Sequence, residues 1–164
     1  LLDLVNAFEA IAPLNEALEL QIIGPRGSGE SELGHAIKML PSAIQSRVHR
    51  IGFVERQQRD QLISDATILV HPSHYEGFGF PVLEAMSMAT PVVTTTGGAI
   101  PEIAGDAALK VPPGDVGSLV DALTELLANE ELRRTFVATG LDRASKFTWK
   151  DTANGMLNLY RSLL

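Results

Sequence analysis

The chain has 164 residues, of which 45% are hydrophobic, and its formal net charge is −7 at pH 7. This length suits one domain with a sizeable core, and the hydrophobic content suits buried strands. The negative charge, without any cluster of Lys and Arg, argues against a nucleic-acid partner. The absence of cysteine excludes disulfides and a thiolate catalyst. No apolar run reaches the roughly 18 residues of a membrane span, and we expect a cytoplasmic protein.

Strand and helix patterns alternate along the chain. The predicted strands, which are apolar or β-branched runs bounded by turn residues, cover 18–23, 48–54, 66–70, 90–95 and 107–111. The predicted helices cover 1–12, 30–40, 55–64, 81–88, 101–104, 116–128, 130–146 and 152–164. Asp115, Asn129 and Thr148 are expected to cap the last three helices. This alternation predicts an α/β fold, a parallel sheet with helices on both faces.

The strongest functional pattern lies between the third predicted strand and the helix after it. Residues 71–86 read HPSHYEGFGFPVLEAM, so a strand leads into a glycine-containing loop and then into a helix that Pro81 opens. This order puts unpaired backbone N–H groups and the positive end of a helix dipole beside the carboxyl end of a strand. Open parallel sheets bind ligands at that edge, so the segment predicts an anion site.

Two carboxylates flank this segment, Glu76 in the loop and Glu84 about one turn into the helix. The N–H groups near Val82 and Leu83 are expected to be unpaired and to hold a phosphate. Carboxylates instead accept hydrogen bonds from hydroxyls. The pattern therefore indicates a ligand with hydroxyls at both ends and phosphate between them, such as a nucleotide-diphosphate sugar. Taken singly, Glu76 is equally well a loop carboxylate and Glu84 a solvated helix residue.

Residues 72–86 resemble the signature of the family 4 (group 1) glycosyltransferases. The resemblance covers essentially the whole chain and includes PVV at 91–93, GGAIPE at 97–102, VPPGD at 111–115 and FTW at 147–149. These are retaining, nucleotide-sugar-dependent enzymes of the GT-B fold, in which two Rossmann-like domains face each other across a cleft. The resemblance implies that residues 1–164 are the donor-binding domain, without its first strand and without the N-terminal acceptor domain.

The resemblance also implies a role for each matching position. Glu76 would contact the donor hexose as the catalytic residue, and Glu84 would accept hydrogen bonds from the ribose hydroxyls. The donor sugar and the diphosphate would contact Gly77, Phe78, Gly79, Phe80, Val82 and Leu83. The nucleotide would also contact Gly24, Phe53 and Val54, for which a simple turn glycine and a plain buried strand are the alternatives.

The resemblance further implies that no metal and no cofactor is needed beside the nucleotide-diphosphate sugar, which is the donor substrate. The paired arginine and lysine with which the family neutralises the departing diphosphate have no match here. Arg26 lies on a different loop, where a solvated turn arginine is the simpler interpretation. The four histidines show no metal-ligand spacing, and His74 is predicted to be an exposed loop residue beside the site.

The sequence thus predicts the donor-binding half of a retaining hexosyltransferase, inactive by itself. Its predicted partners are a nucleotide sugar and the acceptor domain, and any contact with a membrane would be made by the part outside this chain. A nucleotide-sugar epimerase of the same scaffold is disfavoured by the spacing of Glu76 and Glu84 around Phe-Gly-Phe. A non-catalytic nucleotide-binding or interaction domain stays open. The base, the hexose, the acceptor and the oligomeric state are not indicated.

Overall fold

The computed structural model describes residues 1–163 and shows the alternating α/β order that the sequence predicts. The strands are β1 (Leu20–Ile23), β2 (Val48–Gly52), β3 (Leu69–His71), β4 (Val92–Thr95) and β5 (Leu109–Val111). The helices are α1 (Leu2–Ile11), α2 (Glu30–Met39), α3 (Ser42–Gln45), α4 (Arg56–Asp65), α5 (Phe80–Ser87), α6 (Ile100–Ala104), α7 (Val116–Ala128), α8 (Glu130–Ser145) and α9 (Trp149–Ser162). Helix α3 and a 3₁₀ helix at Ala12–Leu14 are additions to the predicted elements.

The strand pairs of the described chain are parallel, as predicted, but they form two hydrogen-bonded groups instead of one sheet. β1 pairs with β2, and β4 lies between β3 and β5. A cavity of about 470 Å³ is lined by residues of both β1 and β3. The predicted parallel strands are therefore divided at this position, because β1 and β3 flank this space and do not pair with each other.

Helices cover both faces of the strands. On one face α1 and α7 pack together and bury Val5 and Leu126 with Val93 of β4. On the other face α5 buries Met86 against Val92 of the same strand. Successive residues of a strand point to opposite faces, which is why neighbouring valines join different apolar clusters. The predicted layering of helices on both faces is confirmed.

Capping side chains fix the starts of α7 and α8, as predicted. Asp115 accepts a hydrogen bond from the backbone N–H of Ser118 at 3.0 Å, and Asn129 accepts one from Leu132 at 3.0 Å. These bonds satisfy N–H groups that have no partner inside the helix. The backbone N–H of Ser118, followed by its hydroxyl, holds the pKa of Asp115 below its ordinary value.

The last helix, α9, begins earlier than predicted. Thr148 accepts from the N–H of Asp151 at 3.1 Å and is the cap, so the helix starts at Trp149 instead of residue 152. The predicted end at residue 164 lies outside the described residues. None of the α9 side chains is buried. Over residues 1–163, no helix combines the length and the apolar content that crossing a bilayer requires.

Candidate functional site

The residues predicted to contact a nucleotide lie where β1 and β2 end. Gly24 follows β1, and its N–H donates to the carbonyl of Gly52, the last residue of β2, at 2.8 Å. Both glycines have positive φ, 128° and 82°, which other residues rarely adopt. The strand therefore ends two residues before its predicted end, and Phe53 leaves the sheet 71% exposed, followed by half-buried Val54. A plain buried strand is excluded for Phe53.

Glu76 lies in the loop after β3, and its backbone is joined to the loop after β4. It forms a parallel bridge with Gly98, and its carbonyl accepts from the N–H of Ala99 at 2.9 Å. Gly98 has a φ of 62°, and a Cβ at this position would lie 2.2 Å from the Glu76 carbonyl oxygen. The close approach of the two loops therefore depends on a glycine here.

The Glu76 carboxylate is half-buried and has one neighbour that orients it. Its Oε1 lies 3.1 Å from Nε2 of His71, the last residue of β3. A carboxylate only accepts, so the Nε2–H of His71 donates in this pair. The other oxygen, Oε2, has no hydrogen-bond partner among residues 1–163. Within residues 1–163, no protein group therefore competes with a ligand hydroxyl for this oxygen.

Helix α5 begins at Phe80, one residue before its predicted start, and Pro81 takes the second position. Gly79 precedes the helix with a φ of 97°, and a Cβ there would lie 2.5 Å from Cδ1 of Ile100. The N–H of Val82 donates to the Gly79 carbonyl at 3.0 Å. The prediction of an unpaired N–H at Val82 is therefore wrong, because the first turn closes on the capping glycine. The side chains of Val82 and Leu83 are buried.

The unpaired donors lie just ahead of these residues. In the part of the chain that the structure describes, no hydrogen bond is made by the backbone N–H groups of Gly77, Phe78, Gly79 and Phe80. They lead into the N-terminus of α5, the positive end of its dipole. Successive free N–H groups at such a place form an arrangement that attracts anions.

The two phenylalanines of the loop differ in their surroundings. Phe78 is partly buried against the cluster around Ile100, whereas Phe80 is 56% exposed. Their ring centroids are 4.6 Å apart, and the ring of Phe147 stands edge-on to Phe78 at 6.1 Å. Phe78 therefore anchors the loop in the apolar core. Phe147 supports Phe78 through this ring contact. Phe147 belongs to the FTW motif of the family resemblance, but the sequence did not predict its contact with Phe78.

Glu84 is joined to the helix that follows the Phe53 turn. Its Oε1 accepts a hydrogen bond from Nη2 of Arg59 in α4 at 3.0 Å, and both side chains are about one-third exposed. Its Oε2 has no partner within residues 1–163. The sequence did not point to Arg59, because it stands 25 residues before Glu84 on a separate helix and no local pattern indicates the contact.

The Gly24 turn is fastened by Arg50 of β2. The guanidinium donates to the carbonyls of Ile22 at 3.2 Å and Gly24 at 2.8 Å, and its Nη2 lies 3.0 Å from Glu30. The hydrogen bond from Arg50 holds the pKa of Glu30 below its ordinary value. Gly24 is therefore part of a turn between β1 and α2 that Arg50 holds in place, and its contact with a nucleotide stays a prediction.

Two charged residues near the site have simple surroundings. The Arg26 side chain is 82% exposed and lies 3.8 Å from Glu30, which agrees with a solvated turn arginine. The His74 side chain is 68% exposed, and its Nε2 lies 2.7 Å from Asp3.

Residues 1–163 contain no group of three or more His, Asp or Glu side chains that could hold a metal ion. The expectation that donor binding needs no metal stays a prediction.

Comparison with known sequences identifies the family. Residues 1–129 match the family model described as glycosyl transferases group 1. An O-antigen chain mannosyltransferase B from Escherichia coli is 35% identical over 116 residues, which are 71% of this chain and 30% of that protein. An MMP α-(1→4)-mannosyltransferase from Mycolicibacterium hassiacum is 31% identical over 157 residues, 90% of this chain and 36% of that protein. The chain thus spans about a third of the length of these relatives.

Solved structures show the same fold. A sucrose-phosphate synthase from Thermosynechococcus elongatus superposes with a TM-score of 0.84 at 27% identity, covering 99% of this chain and 41% of that one. The C-terminal domain of a glycosyl transferase group 1 family protein from Francisella tularensis has a TM-score of 0.80 at 25% identity, covering 88% of this chain and 77% of that domain. The chain therefore belongs to the group 1 glycosyl transferases and has the Rossmann-like fold of the C-terminal half of a GT-B enzyme.

Proposed function

We propose that this chain binds the donor of a retaining glycosyltransferase, which transfers a hexose from a nucleotide-diphosphate sugar to an acceptor. The observation that carries the proposal is the row of unpaired N–H groups from Gly77 to Phe80, which has a carboxylate on either side. This order of groups matches hydroxyls, phosphates and hydroxyls along an extended donor.

The diphosphate is placed over the Gly77–Phe80 backbone. N–H groups and the dipole of α5 stabilise negative charge there, and this charge grows as the sugar leaves. The side chains of Val82 and Leu83 are buried, so their contribution is to fix the start of α5. Phe78 serves in the same way through its anchor in the core.

The nucleoside is placed at the Glu84 end and the hexose at the Glu76 end. Glu84 accepts from the ribose hydroxyls through a charge-assisted hydrogen bond. The Gly24 and Phe53–Val54 turns border the base, because α4, which follows the second turn, is joined to Glu84 through Arg59. Glu76 accepts from hexose hydroxyls and orients the sugar for the reaction.

In the proposed reaction the bond between the anomeric carbon and the diphosphate oxygen breaks, and an acceptor oxygen attacks from the same face. The nucleoside diphosphate takes the electron pair of the broken bond, and an oxygen of the departing phosphate takes the proton that the acceptor hydroxyl loses. Positioning and electrostatic stabilisation of the leaving group supply the catalysis. That two relatives are named as mannosyltransferases supports a hexose as the transferred group.

We further propose that the functional enzyme includes one more strand beside β1 and β3. Leu20 donates to Arg47 at 2.9 Å and Leu69 to Pro91 at 2.9 Å, so these residues direct their peptide groups to β2 and β4. Alternate residues of a strand face opposite neighbours, and the peptide groups of Ile23 and Val70 therefore point into the cavity between the two groups. A parallel strand placed there would pair with both edges and complete one sheet.

An acceptor domain is the second proposed partner, because Phe80 is 56% exposed and the side chains of Glu76 and Glu84 are about one-third exposed, which leaves surface for a second domain to cover. The chain alone is therefore expected to bind donor without transferring sugar. Transferase turnover by the purified chain would contradict this part of the proposal and leave the donor site intact.

The test is a thermal-stability screen with UDP, GDP and ADP and with a sugar derivative of each. A bound ligand at a hundredfold its Kd adds about 2.7 kcal/mol to the free energy of unfolding. The stabilisation should shrink in Glu84→Ala and persist in Glu125→Ala, which removes an exposed carboxylate of α7, a helix that belongs to a different apolar cluster from α5. Stabilisation by none of the ligands, or equal stabilisation of both variants, would contradict the proposed donor site.

A further inference from the structure

Arg59 and Glu84 form a contact between two helices that come from different strands. Nη2 of Arg59 lies 3.0 Å from Oε1 of Glu84, within the range of a charge-assisted hydrogen bond. Arg59 lies in the first turn of α4, where its backbone N–H donates to the Glu55 carbonyl at 2.9 Å. The contact therefore ties Glu84 to the start of the helix that follows the Phe53 turn.

The guanidinium of Arg59 is itself held on its other side. Its Nε and Nη2 lie 3.3 and 3.1 Å from Oδ1 of Asp60, so it sits between two carboxylates. Arg56 contacts the second oxygen of Asp60 at 3.6 Å, but its side chain is 88% exposed and it makes no hydrogen bond or ion pair with Glu84 in the described chain. Two arginines on one helix thus share Asp60, and Arg59 alone of the two extends the network to Glu84.

We propose that Arg59 is a positioning residue for the ribose, an inference that rests on the proposed donor site. Arg59 occupies Oε1 of Glu84 and leaves Oε2 without a partner within residues 1–163. A glutamate side chain has several rotamers, and binding must otherwise order them. Because Arg59 orders the carboxylate before the nucleotide arrives, less conformational freedom is lost on binding.

Three other roles of Arg59 give different results and can be separated. A general attraction between the arginine and the diphosphate would act whether or not the ribose has hydroxyls. Competition between Arg59 and the ribose for Glu84 would make binding tighter when the arginine is removed. A purely structural brace between α4 and α5 would lower stability without changing the preference for ribose hydroxyls.

The experiment measures affinity by calorimetry for the tightest of UDP, GDP and ADP and for its 2′,3′-dideoxy counterpart. Arg59→Met keeps much of the aliphatic side chain and removes the charge, and Arg59→Lys restores the charge. Arg56→Met is the matched control, since it removes an arginine from the same helix that also contacts Asp60. Arg59→Met in a Glu84→Ala background completes a double-mutant cycle.

Arg59→Met should weaken the ribonucleotide about three- to tenfold and the dideoxynucleotide less than about twofold. Arg59→Lys should recover part of the loss, Arg56→Met should change neither affinity, and Arg59→Met should have no further effect once Glu84 is alanine. Thermal denaturation of each variant checks that the fold is retained.

Equal weakening of both nucleotides, tighter ribonucleotide binding, or an undiminished Arg59→Met effect in the Glu84→Ala background would overturn the inference. If Glu84→Ala weakens the ribonucleotide but Arg59→Met does not, the inference fails and the proposed donor site stands. If Glu84→Ala has no effect on either nucleotide, the ribose is not at Glu84 and both fail.

Discussion

The two carboxylates of the candidate site are supported in different ways. Glu76 lies in a loop whose backbone is joined to the Gly98 loop. Its carboxylate is oriented by His71, the last residue of β3, which is the strand that precedes this loop. Glu84 lies on a helix whose backbone is hydrogen-bonded within itself, and its carboxylate is oriented by Arg59 from another helix. At one end of the site the main chain is fixed by a neighbouring loop, and at the other end a side chain is fixed by a neighbouring helix.

This difference has consequences for both stability and binding. A change at the Glu76 end disturbs backbone packing when it adds atoms, because the two loops are in direct contact. A change at the Glu84 end alters ion pairs on a partly exposed surface, where the contribution to folding is small. At the first end, a substitution that adds atoms to the loops should therefore lower stability as well as binding, whereas at the second end a loss of binding should be separate from stability.

The largest expected effect is on stability at the Glu76 end. Gly98→Ala places a Cβ 2.2 Å from the Glu76 carbonyl oxygen at a φ of 62°, so one loop must move. We expect the free energy of unfolding to fall by about 2–4 kcal/mol, from overpacking and left-handed backbone strain together. Gly77→Ala is the control, since its Cβ would meet no atom within 4 Å. Denaturant unfolding in which the two variants lose equal stability would show that the loops tolerate separation.

A moderate effect is expected from the histidine that orients Glu76. His71→Ala removes the donor to Oε1, so the carboxylate must be ordered when the sugar binds. The nucleotide sugar should bind about two- to fivefold more weakly in calorimetry, while the bare nucleoside diphosphate is unaffected.

The matched control for this prediction is His74→Ala, because His74 pairs with Asp3 instead of a site carboxylate. It should leave both affinities unchanged. An equal effect of the two histidine variants would mean that His71 has no special connection to the sugar.

The smallest effect is a pH dependence at the Gly24 turn. Arg50 lowers the pKa of Glu30 from its ordinary value of 4.5, so the folded state favours the ionised carboxylate. The pair therefore contributes stability that is complete above about pH 5.5 and is lost as the pH falls through 4.5 towards the lowered pKa. Denaturation curves should show the stability difference between the unmodified chain and Glu30→Gln shrinking over this range. A difference that stays constant down to pH 3 would exclude the Arg50–Glu30 bond as its source.

The fold could be predicted from local patterns, because buried strands, capped helices and glycine turns are each specified by neighbouring residues. Asp115, Asn129 and Thr148 marked helix starts in this way. The contacts of Arg59 with Glu84 and of Phe147 with Phe78 join residues far apart in the chain, and no local spacing encodes them. The local pattern does not show that the N–H of Val82 is paired, because the closing of the first turn on Gly79 depends on three-dimensional geometry.

The division of the strands into two groups was also beyond prediction from periodicity. β1 and β3 read as buried strands, and periodicity does not show which edge of a strand is paired. The cavity between β1 and β3 in the structure shows that these two edges are unpaired.

The central claim, that the two carboxylates contact opposite ends of one donor, is tested most directly by a comparison of two variants with two ligands. Calorimetry should measure the affinity of Glu76→Ala and Glu84→Ala for a nucleoside diphosphate and for its sugar derivative. Glu84→Ala should weaken both ligands by similar factors, about ten- to a hundredfold, because a charge-assisted hydrogen bond to the ribose is lost. Glu76→Ala should weaken the nucleotide sugar and leave the bare nucleoside diphosphate almost unchanged. Equal weakening of both ligands by Glu76→Ala, or unchanged affinity in Glu84→Ala, would contradict the assignment of the hexose to Glu76 and the ribose to Glu84.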